Sequence, residues 1–261
     1  MTDDPFLVRT DRAGVTTLTL NRPQSRNALS LGMLRALGTA FDEVAADDDV
    51  RVVILAANGP AFSAGHDLKE IRAANFDRSY IDTLFEVCVE VMQAIVRLPK
   101  PVIAQVHGVA TAAGCQLVAS CDLAVAASDA RFATPGVNIG LFCSTPMVAL
   151  SRNVGNKAAM KMLLTGEMID ADTAQRIGLI NDVVPLDELE TATQALACTL
   201  AAKSPVTLAI GKEAFYAQTE MPLAQAYAYA ARVMATNLEA QDAQEGITAF
   251  LDKRHPTWCG R

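Results

Sequence analysis

Apolar and polar residues alternate along the first part of the chain with two different periods. Val15 to Asn21 carries β-branched residues in an alternating pattern, which predicts a strand that Asn21-Arg22-Pro23 terminates. From Ser30 to Ala46, apolar residues recur at helical spacing, which predicts an amphipathic helix with Ser30 as its N-cap. The chain therefore begins with a strand followed by a helix.

The two patterns continue to about residue 186 and then change. Further elements are predicted as strands at Val50–Ala56 and Pro101–Val106, a helix at Phe85–Leu98, and a helix start followed by a strand within Leu117–Ala126. This alternation predicts an α/β core. From Leu186 to Leu251 almost every segment has a helical pattern. We therefore predict a core of residues 1–190 and a C-terminal helical region of residues 191–261.

Composition narrows the class of protein. Hydrophobic residues make up 51% and charged residues 20% of the 261 residues, the profile of a folded globular chain rather than a disordered one. The 22 Lys and Arg against 29 Asp and Glu leave a net charge of −7, which argues against nucleic acid as a partner. No apolar run reaches the roughly 18 residues of a membrane span, so no membrane partner is expected.

The N-terminus and the cysteines bear on the compartment. Residues 1–12 contain three acidic residues and no apolar stretch, which predicts neither a secretory signal nor an Arg-rich transit peptide. The six cysteines have no metal-ligand spacing with the three histidines and are expected to be reduced thiols. No dinucleotide, P-loop or G-x-S-x-G signature occurs. We therefore expect a cytoplasmic protein without a metal site.

Two glycine-containing loops are the strongest candidates for chemistry. They span Ala61–Glu70 and His107–Gln116, and each follows a predicted strand and precedes a predicted helix. Small residues let a backbone approach a ligand closely, and a helix N-terminus presents free N–H groups to an anion or a polarised carbonyl. Side by side, the loops would form an oxyanion hole with two donors. Spacing alone leaves open the simpler interpretation that these small residues only pack.

Over nearly its whole length the chain resembles the crotonase, or enoyl-CoA hydratase/isomerase, superfamily. The matching motifs are Asn21-Arg22-Pro23, Asn27-Ala28-Leu29, Arg51–Leu55, Ala61–Glu70, Gly108–Ala126, Phe132–Leu141, Leu164-Thr165-Gly166 and Gly178-Leu179-Ile180. Three stretches are most similar to the enoyl-CoA hydratase domain-containing protein 3-like branch, namely Phe62–Glu70, Thr134–Asn138 and Gly140–Pro146.

The resemblance implies a fold, a ligand and an assembly. The fold would be an α/β spiral of repeated ββα units, closed by C-terminal helices that drive trimers or hexamers. The ligand would be an acyl-CoA thioester, so that coenzyme A is part of the substrate and no separate cofactor is needed. Its carbonyl would be held by the backbone N–H groups of His66 and Ala113, or of Gly114 if the alignment slips by one. The implied activity is that of a lyase in fatty acid metabolism.

The resemblance also assigns residues to substrate binding. Lys69 lies where the family often places a cation for the CoA phosphates, and Arg22 and Arg26 flank the loop that meets the nucleotide. Phe250 and Lys253 match C-terminal residues that close over CoA, often from a neighbouring subunit. The predicted set is completed by residues of the first loop and of the acyl region, namely Ala64, Asp67, Asn138, Cys143 and Ser144. The alternatives are that the cations are solvated surface charges and that Asp67 orders its own loop.

The chain departs from the family where the acid–base chemistry belongs. In the family two glutamates share this work, and here their positions are occupied by Gln116 and Gly136. Glutamine does not exchange a proton near neutral pH, although it orients water by hydrogen bonds. General acid–base assistance is worth about 10²–10⁴-fold, so standard hydration is expected to be weak. Cys143 as a nucleophile and His66 as a base are the substitutes that the sequence offers.

Two functions of different classes remain open on the sequence. The first is an enzyme of the enoyl-CoA hydratase/isomerase type that polarises an acyl-CoA carbonyl in a backbone oxyanion hole. The second is a non-catalytic acyl-CoA binder, or a scaffold acting through its oligomer surface. The retained loops favour the first, and the loss of both glutamates favours the second.

Overall fold

Mostly parallel strands in two sheets form the centre of the molecule, whose computed structural model describes residues 4–261. The strands are Leu7–Arg12 (β1), Val15–Leu20 (β2), Val52–Ala57 (β3), Val102–Val106 (β4), Val109–Thr111 (β5), Leu123–Ala127 (β6), Arg131–Ala133 (β7), Ile169–Asp170 (β8) and Asp182–Val184 (β9). Residues 1–3 of the predicted core lie outside the described residues.

The helices lie between these strands and then continue alone. They are Leu31–Ala46 (α1), Leu68–Ala73 (α2), Arg78–Arg97 (α3), Ala113–Ser120 (α4), Ser144–Asn153 (α5), Asn156–Thr165 (α6), Ala171–Arg176 (α7), Leu189–Ala201 (α8), Pro205–Thr219 (α9), Leu223–Glu239 (α10) and Gln241–Leu251 (α11). Three short 3-10 segments lie at Pro23–Ser25, Pro135–Ile139 and Leu186–Glu188.

The strands are divided between a larger and a smaller sheet. The larger sheet has the order β1-β2-β3-β4-β6-β9 and the smaller has the order β5-β7-β8. The β1–β2 pair is antiparallel, and every other pair in the larger sheet is parallel. Strands β4 and β5 lead into α4, and β6 and β7 lead into α5. Each such turn places one strand in each sheet, which is the α/β arrangement of repeated ββα units expected from the sequence.

Helices α1 and α3 cover one face of the larger sheet, and their apolar stripes explain why they form there. The stripe of α1 was visible in the sequence, and the Ser30 hydroxyl accepts a hydrogen bond from the Met33 N–H at 3.1 Å, as expected for its N-cap. Helix α3 begins at Arg78, seven residues before the predicted start at Phe85. Its first turns are polar and largely exposed, so the periodic apolar signal begins only at the buried Leu84.

Two of the elements that the sequence analysis misses or misplaces, α4 and β1, do not alternate between buried and exposed residues. Every residue of α4 is buried, so the helix has no polar face, and it begins at Ala113 rather than near Leu117. Strand β1 is an edge strand whose residues are mostly exposed, so it has no apolar face for a periodicity to report. It pairs with β2 in an antiparallel hairpin, from Leu7 opposite Leu20 to Arg12 opposite Val15.

The C-terminal helices differ in how they contact the sheets. Helix α8 packs on the larger sheet, where Leu189 and Ala197 join a buried cluster with strand residues such as Val52 and Ile103. No residue of α9 or α10 is buried as a whole, although the side chain of Lys212 on α9 is only 8% exposed. Helix α8 begins at Leu189 and packs as part of the core. The predicted boundary between a core of residues 1–190 and a C-terminal region of residues 191–261 stays a prediction.

A buried ion pair connects α9 to the core. The Lys212 ammonium donates to the carbonyls of Ile95 and Lys100 at 2.8 and 3.0 Å and to the Asp122 carboxylate at 2.7 Å. The Tyr216 hydroxyl donates to the other carboxylate oxygen at 2.9 Å. Burial lowers the pKa of Lys212, and Asp122 opposes that shift. Residues 4–261 contain no helix that is long and apolar enough to cross a membrane.

Candidate active site

Backbone hydrogen bonds hold the two glycine-containing loops side by side. The Ser63 N–H donates to the Val109 carbonyl at 3.1 Å, and the Thr111 N–H donates to the Ser63 carbonyl at 3.0 Å. On the other side of the first loop, the Leu29 N–H donates to the Gly65 carbonyl at 2.8 Å. The first loop is therefore fixed between the second loop and the residue that precedes the N-cap of α1.

Glycines allow the loops to meet backbone to backbone. A Cβ on Gly65, whose φ is +87°, would lie 2.9 Å from the Ala112 Cβ and from the Thr111 carbonyl oxygen. A Cβ on Gly114 would overlap the Ser63 carbonyl oxygen. Only glycine fits at either position without moving the neighbouring chain. The close approach brings the residue after Gly65 next to the first turn of α4.

Free N–H groups gather at this contact. Among the described residues, the N–H of His66 and those of Ala113, Gly114 and Cys115 have no hydrogen-bond acceptor. The first paired N–H of α4 is that of Gln116, which donates to the Ala112 carbonyl at 3.0 Å. A helix leaves its first N–H groups unpaired and favours negative charge there. Because the Ala113 and Gly114 N–H groups are both free, the choice between them as second donor stays open.

Backbone strain marks the turn from β5 into α4. Ala112 has φ 51° and ψ −119°, a conformation that residues other than glycine rarely adopt. Its N–H donates to the Ala133 carbonyl at 2.9 Å, which holds the turn against β7. Such strain concentrates at functional sites. No sequence signal pointed to Ala112, because alanine does not indicate a left-handed conformation.

The His66 side chain is held as a neutral imidazole. Its Nδ1 lies 3.2 Å from the Leu29 carbonyl oxygen, which only accepts, so Nδ1 carries the proton. The ring packs edge-on against Phe85 of α3, with 5.2 Å between centroids. Burial lowers the pKa of His66, and the bond to Leu29 opposes that shift. The other nitrogen, Nε2, is buried without a hydrogen-bond partner in residues 4–261.

Two further buried polar atoms near α4 have no partner in the described part of the chain. They are Oε1 of Gln116, a residue only 5% exposed, and Oγ1 of Thr134, which is 1% exposed. Thr134 follows the carbonyl that binds the Ala112 N–H, so its backbone runs beside the start of α4. The sequence analysis singles out Gln116 because the resemblance predicts a glutamate at that position. It includes Thr134 only as part of a matching motif.

The space at Gly136 is filled by the segment that follows it. A Cβ on Gly136 would lie 2.7 Å from the Leu141 carbonyl oxygen and 2.9 Å from the Cys143 Sγ. Burial raises the pKa of the Cys143 thiol, and a hydrogen bond from the Gly136 backbone opposes this. Burial also raises the pKa of Cys115 to about 12, with a smaller contribution from Cys143. Both thiols are therefore protonated at neutral pH, which disfavours Cys143 as a nucleophile.

The first loop carries the exposed predicted cation Lys69 beside a capped helix start. The Asp67 carboxylate accepts from the N–H groups of Lys69 and Glu70 at 2.9 and 3.3 Å, so it caps α2. The Lys69 side chain is exposed. The exposed Ala64 donates its N–H to the carbonyl of Arg26, also exposed, at 3.0 Å, which brings Arg26 to the loop.

Arg22 and the residues of the predicted acyl region have local contacts of their own. The Arg22 guanidinium lies 4.1 Å above the Phe6 ring and donates to the Pro5 carbonyl at 3.0 Å. Asn138 is exposed and faces Gly166, where a Cβ would lie 3.0 Å from its Nδ2. Ser144 is the first residue of α5, and its hydroxyl donates to the Phe142 carbonyl at 3.3 Å. These contacts do not bring the three side chains to the paired loops.

Phe250 and Lys253 lie in the C-terminal helical region of the same chain. Phe250 belongs to α11, which packs against α9 and α10, and it is 82% exposed. It lines an apolar cavity of about 650 Å³ with residues that include Met234, Leu238 and Trp258. This cavity lies between the C-terminal helices and is separate from the paired loops. Within residues 4–261 no group of three or more metal-binding side chains occurs.

Comparison of the sequence and the structure with those of known proteins identifies the family of the chain. The sequence profile of the family described as enoyl-CoA hydratase/isomerase matches residues 10–261. The chain therefore belongs to the enoyl-CoA hydratase/isomerase family, and its α/β spiral is the crotonase fold. Both the predicted family and the predicted fold are thereby confirmed.

Three relatives illustrate the likeness. Rat enoyl-CoA hydratase domain-containing protein 3, mitochondrial, is 49% identical over 256 residues, which are 98% of this chain and 85% of that protein. The crystal structure of the human protein of that name is 47% identical with a TM-score of 0.94, over 97% of this chain and 100% of that one. A structure of a Mycobacterium smegmatis enoyl-CoA hydratase is 57% identical with a TM-score of 0.95, over 98% and 99% of the two chains.

The expected cytoplasmic location is wrong. The rat, mouse, Xenopus laevis and human forms of enoyl-CoA hydratase domain-containing protein 3 are all named as mitochondrial, which points to the mitochondrion rather than the cytoplasm. The expectation rested on the lack of a leader-like pattern in residues 1–12, and such a lack does not fix a compartment.

Proposed function

We propose that the protein binds an acyl-CoA thioester and polarises its carbonyl between the backbone N–H groups of His66 and Ala113. The observation that carries the proposal is the gathering of unpaired N–H groups where the two loops meet. Two donors aimed at one oxygen stabilise the negative charge that develops on a thioester carbonyl. Because the donors are backbone groups, they persist whatever side chains surround them.

The proposed chemistry stops short of efficient hydration. Addition of water to a 2-enoyl thioester needs a group that activates water and one that returns a proton at the α-carbon. Gln116 and Gly136 supply neither, and the protonated thiols of Cys115 and Cys143 do not replace them. We therefore expect hydration of crotonyl-CoA to be at least about 10²-fold slower than in a relative with both glutamates.

A non-catalytic acyl-CoA binder is the second candidate, and the surroundings of Gly136 favour it. The Leu141 carbonyl and the Cys143 thiol take the space in which a side chain at position 136 would begin. Open space at position 136 would fit a hydratase that has lost its carboxylate. Space filled by the Leu141 carbonyl and the Cys143 thiol instead supports a role in binding.

The proposed contacts with coenzyme A come from the exposed cations beside the first loop. Lys69 and Arg26 are exposed, and neither has an ion-pair partner within residues 4–261. In a chain of net charge −7, such local cations are what would neutralise the phosphates. Arg22 is the weaker candidate, because its guanidinium is already engaged with Phe6.

We also propose that the protein assembles as a homotrimer or hexamer through α9–α11. Helices α9 and α10 bury no apolar residue in the single chain, and apolar side chains such as Leu223, Tyr227 and Phe250 are 74%, 72% and 82% exposed. An apolar surface of this kind is typical of an interface between subunits. A neighbouring subunit would then bring its own Phe250 and Lys253 to the CoA site.

Calorimetric titration with butyryl-CoA tests the proposed function. Butyryl-CoA carries the thioester and has no double bond to hydrate. We expect saturable binding that Lys69→Ala weakens by about 1 kcal/mol, roughly fivefold in Kd. Lys157→Ala, an exposed lysine on α6, is the matched control and should leave Kd unchanged. No binding by the unmodified protein would refute the proposal, and an equal effect of both variants would remove Lys69 from the site.

Turnover of crotonyl-CoA, followed in the same preparation, separates the two candidate functions. Slow hydration above the uncatalysed rate favours a weak enzyme. Binding with no turnover favours the non-catalytic binder. A kcat/KM above about 10⁶ M⁻¹s⁻¹ would mean that residues other than those named above act as the general acid and base.

A further inference from the structure

We propose that Asn27 and Ser63 are positioning residues, which fix the N–H group of His66 relative to the turn that carries Arg26. This inference rests on the acyl-CoA binding proposed above and adds a link between the two ends of that site. The thioester carbonyl would be held at one end and the CoA phosphates at the other. Asn27 and Ser63 are fully buried, so neither side chain contacts the ligand and both act through the backbone.

The side chain of Asn27 joins the turn at residues 22–27 to the start of the first loop. Its Oδ1 accepts a hydrogen bond from the Arg22 N–H at 2.8 Å. Its Nδ2 donates to the carbonyls of Asn58 and Ala61, both at 2.9 Å. Both amide hydrogens and the amide oxygen therefore have partners, and all of these partners are backbone groups. A buried polar group that is fully satisfied in this way makes the segments that it joins rigid.

The hydroxyl group of Ser63 continues the connection to the proposed oxyanion donor. It donates to the Asn27 carbonyl at 2.9 Å and accepts from the Gly65 N–H at 3.3 Å. The carbonyl of Gly65 accepts from the Leu29 N–H at 2.8 Å. Because a trans peptide group points its N–H opposite to its C=O, the His66 N–H points away from Leu29. Hydrogen bonds on both sides of Gly65 thus fix the direction of this donor.

The turn itself adopts a conformation that needs support. Arg26 and Asn27 have φ values of 53° and 50°, in the left-handed region. Asparagine is enriched in this region, whereas most other side chains are uncommon there. The Arg26 carbonyl accepts from the Ala64 N–H at 3.0 Å, so the turn and the first loop are bonded at a second point. Strained residues persist only where the surrounding structure holds them, and the Asn27 side chain supplies that support.

A pair of ligands separates positioning from general stability. Butyryl-CoA has the thioester carbonyl, whereas S-butyl-CoA is a thioether of the same chain length without it. The carbonyl ratio, which we define as the Kd of S-butyl-CoA divided by the Kd of butyryl-CoA, measures what the oxyanion hole contributes to binding. Partial unfolding weakens the binding of both ligands alike and leaves this ratio unchanged. A misdirected His66 N–H lowers the ratio.

Calorimetric titration of the unmodified protein should give a carbonyl ratio of at least about five. In Ser63→Ala the ratio should fall toward one, because the Gly65 N–H loses its acceptor. In Ser63→Cys, which keeps a weaker donor and acceptor in a similar volume, the ratio should be intermediate. Asn27→Ala should lower it as well. The double variant should lower it no further than the larger single effect, since both residues act through one chain of hydrogen bonds.

Ser204→Ala is the matched control for the loss of a buried hydroxyl. Ser204 is 4% exposed, and its hydroxyl donates to Asp242 at 2.6 Å and accepts from the Thr207 N–H at 3.2 Å. The substitution therefore removes the same two kinds of hydrogen bond, but in the C-terminal helical region. It should keep the carbonyl ratio of the unmodified protein.

Each outcome decides the inference separately from the proposed function. If butyryl-CoA does not bind, or if the carbonyl ratio of the unmodified protein is near one, the proposed function fails and the inference fails with it. If the unmodified protein has the expected ratio and Ser63→Ala keeps it, the inference alone is refuted. Equal losses in Ser63→Ala and Ser204→Ala would also refute it, because any buried hydroxyl would then have the same effect. Should Ser63→Ala fail to fold by circular dichroism, Ser63→Cys and Asn27→Ala decide.

Discussion

Gly136 occupies the position that the resemblance assigns to one of the family's two glutamates. That assignment stays a prediction. The structure shows what a side chain at this position would meet, because Gly136 is not among the glycines with positive φ and its space is taken by the Leu141 carbonyl. A side chain here must displace backbone, which no sequence pattern reports.

We predict that Gly136→Ala lowers the free energy of unfolding by about 1–3 kcal/mol, because its Cβ would lie 2.7 Å from the Leu141 carbonyl oxygen. Gly38→Ala in α1 is the matched control, since a Cβ there meets only Val91 Cγ2, at an ordinary 3.9 Å, and alanine favours a helix. Urea unfolding at one fixed protein concentration measures both. Equal stability of the two variants would mean that the 141–143 segment yields freely and that Gly136→Glu is a practical way to restore the carboxylate.

His66 gives the molecule a pH dependence whose sign follows from its burial. Burial lowers the folded-state pKa below the ordinary value of about 6.5, so the unfolded chain binds the proton first as pH falls. The contribution of His66 to stability is therefore complete above about pH 6.5 and declines as the pH falls from there toward the folded-state pKa. We predict a smaller loss of unfolding free energy between pH 7.5 and pH 5.5 in His66→Gln than in the unmodified protein.

His255→Gln, at an exposed histidine, is the control for that measurement and should keep the pH dependence of the unmodified protein. An unchanged pH dependence in His66→Gln would show that the ring is accessible to water and protonates equally in both states. Such a result would also weaken the case that its Nε2 is a desolvated acceptor.

At the scale of helices and strands, the elements recognised from the sequence either contrast a buried with an exposed face, as α1 does, or form a short run of mainly apolar residues, as β3 and β4 do. Helix α1 was predicted almost to the residue because its apolar stripe and its N-cap agree. Helix α4, buried on all sides, and strand β1, exposed on most, gave no such contrast. Each of the two loops follows a strand and leads into a helix, as predicted, whereas the contact between the loops depends on parallel pairing between Ser63 and Ala110. Local periodicity does not predict pairing between residues that are so far apart in the chain.

The connection between α9 and the core includes the buried ion pair of Lys212 and Asp122. Lys212 is bonded to two carbonyls and to Asp122, and the two side chains are 8% and 16% exposed. We predict that Lys212→Met lowers the free energy of unfolding by about 3 kcal/mol, because it leaves a buried carboxylate without its counter-charge.

Tyr216→Phe removes only one hydroxyl donor to the same carboxylate and should cost about 1 kcal/mol. Urea unfolding at fixed protein concentration compares the two variants. If Lys212→Met were no more destabilising than Tyr216→Phe, α9 would be attached to the core mainly by packing.

For the whole molecule, the single chain leaves its C-terminal helices without a covering surface. We predict that multi-angle light scattering at micromolar concentration gives a mass that is a multiple of three times 27.7 kDa. Tyr227→Glu, which places a charge on the exposed apolar face of α10, should shift the mass toward the monomer. Arg35→Glu, at an exposed position on α1, serves as the control for adding a negative charge. A monomeric mass for the unmodified protein would contradict the proposed assembly.

The proposed function requires that the N–H groups of His66 and Ala113 polarise the carbonyl of a bound acyl-CoA. Isotope-edited infrared difference spectroscopy measures this polarisation, with butyryl-CoA labelled by ¹³C at the thioester carbon. Two hydrogen bonds in a water-excluded site should move the carbonyl stretch of the bound ligand to lower frequency than in solution. A bound ligand whose carbonyl keeps its solution frequency would show that the two N–H groups do not polarise it.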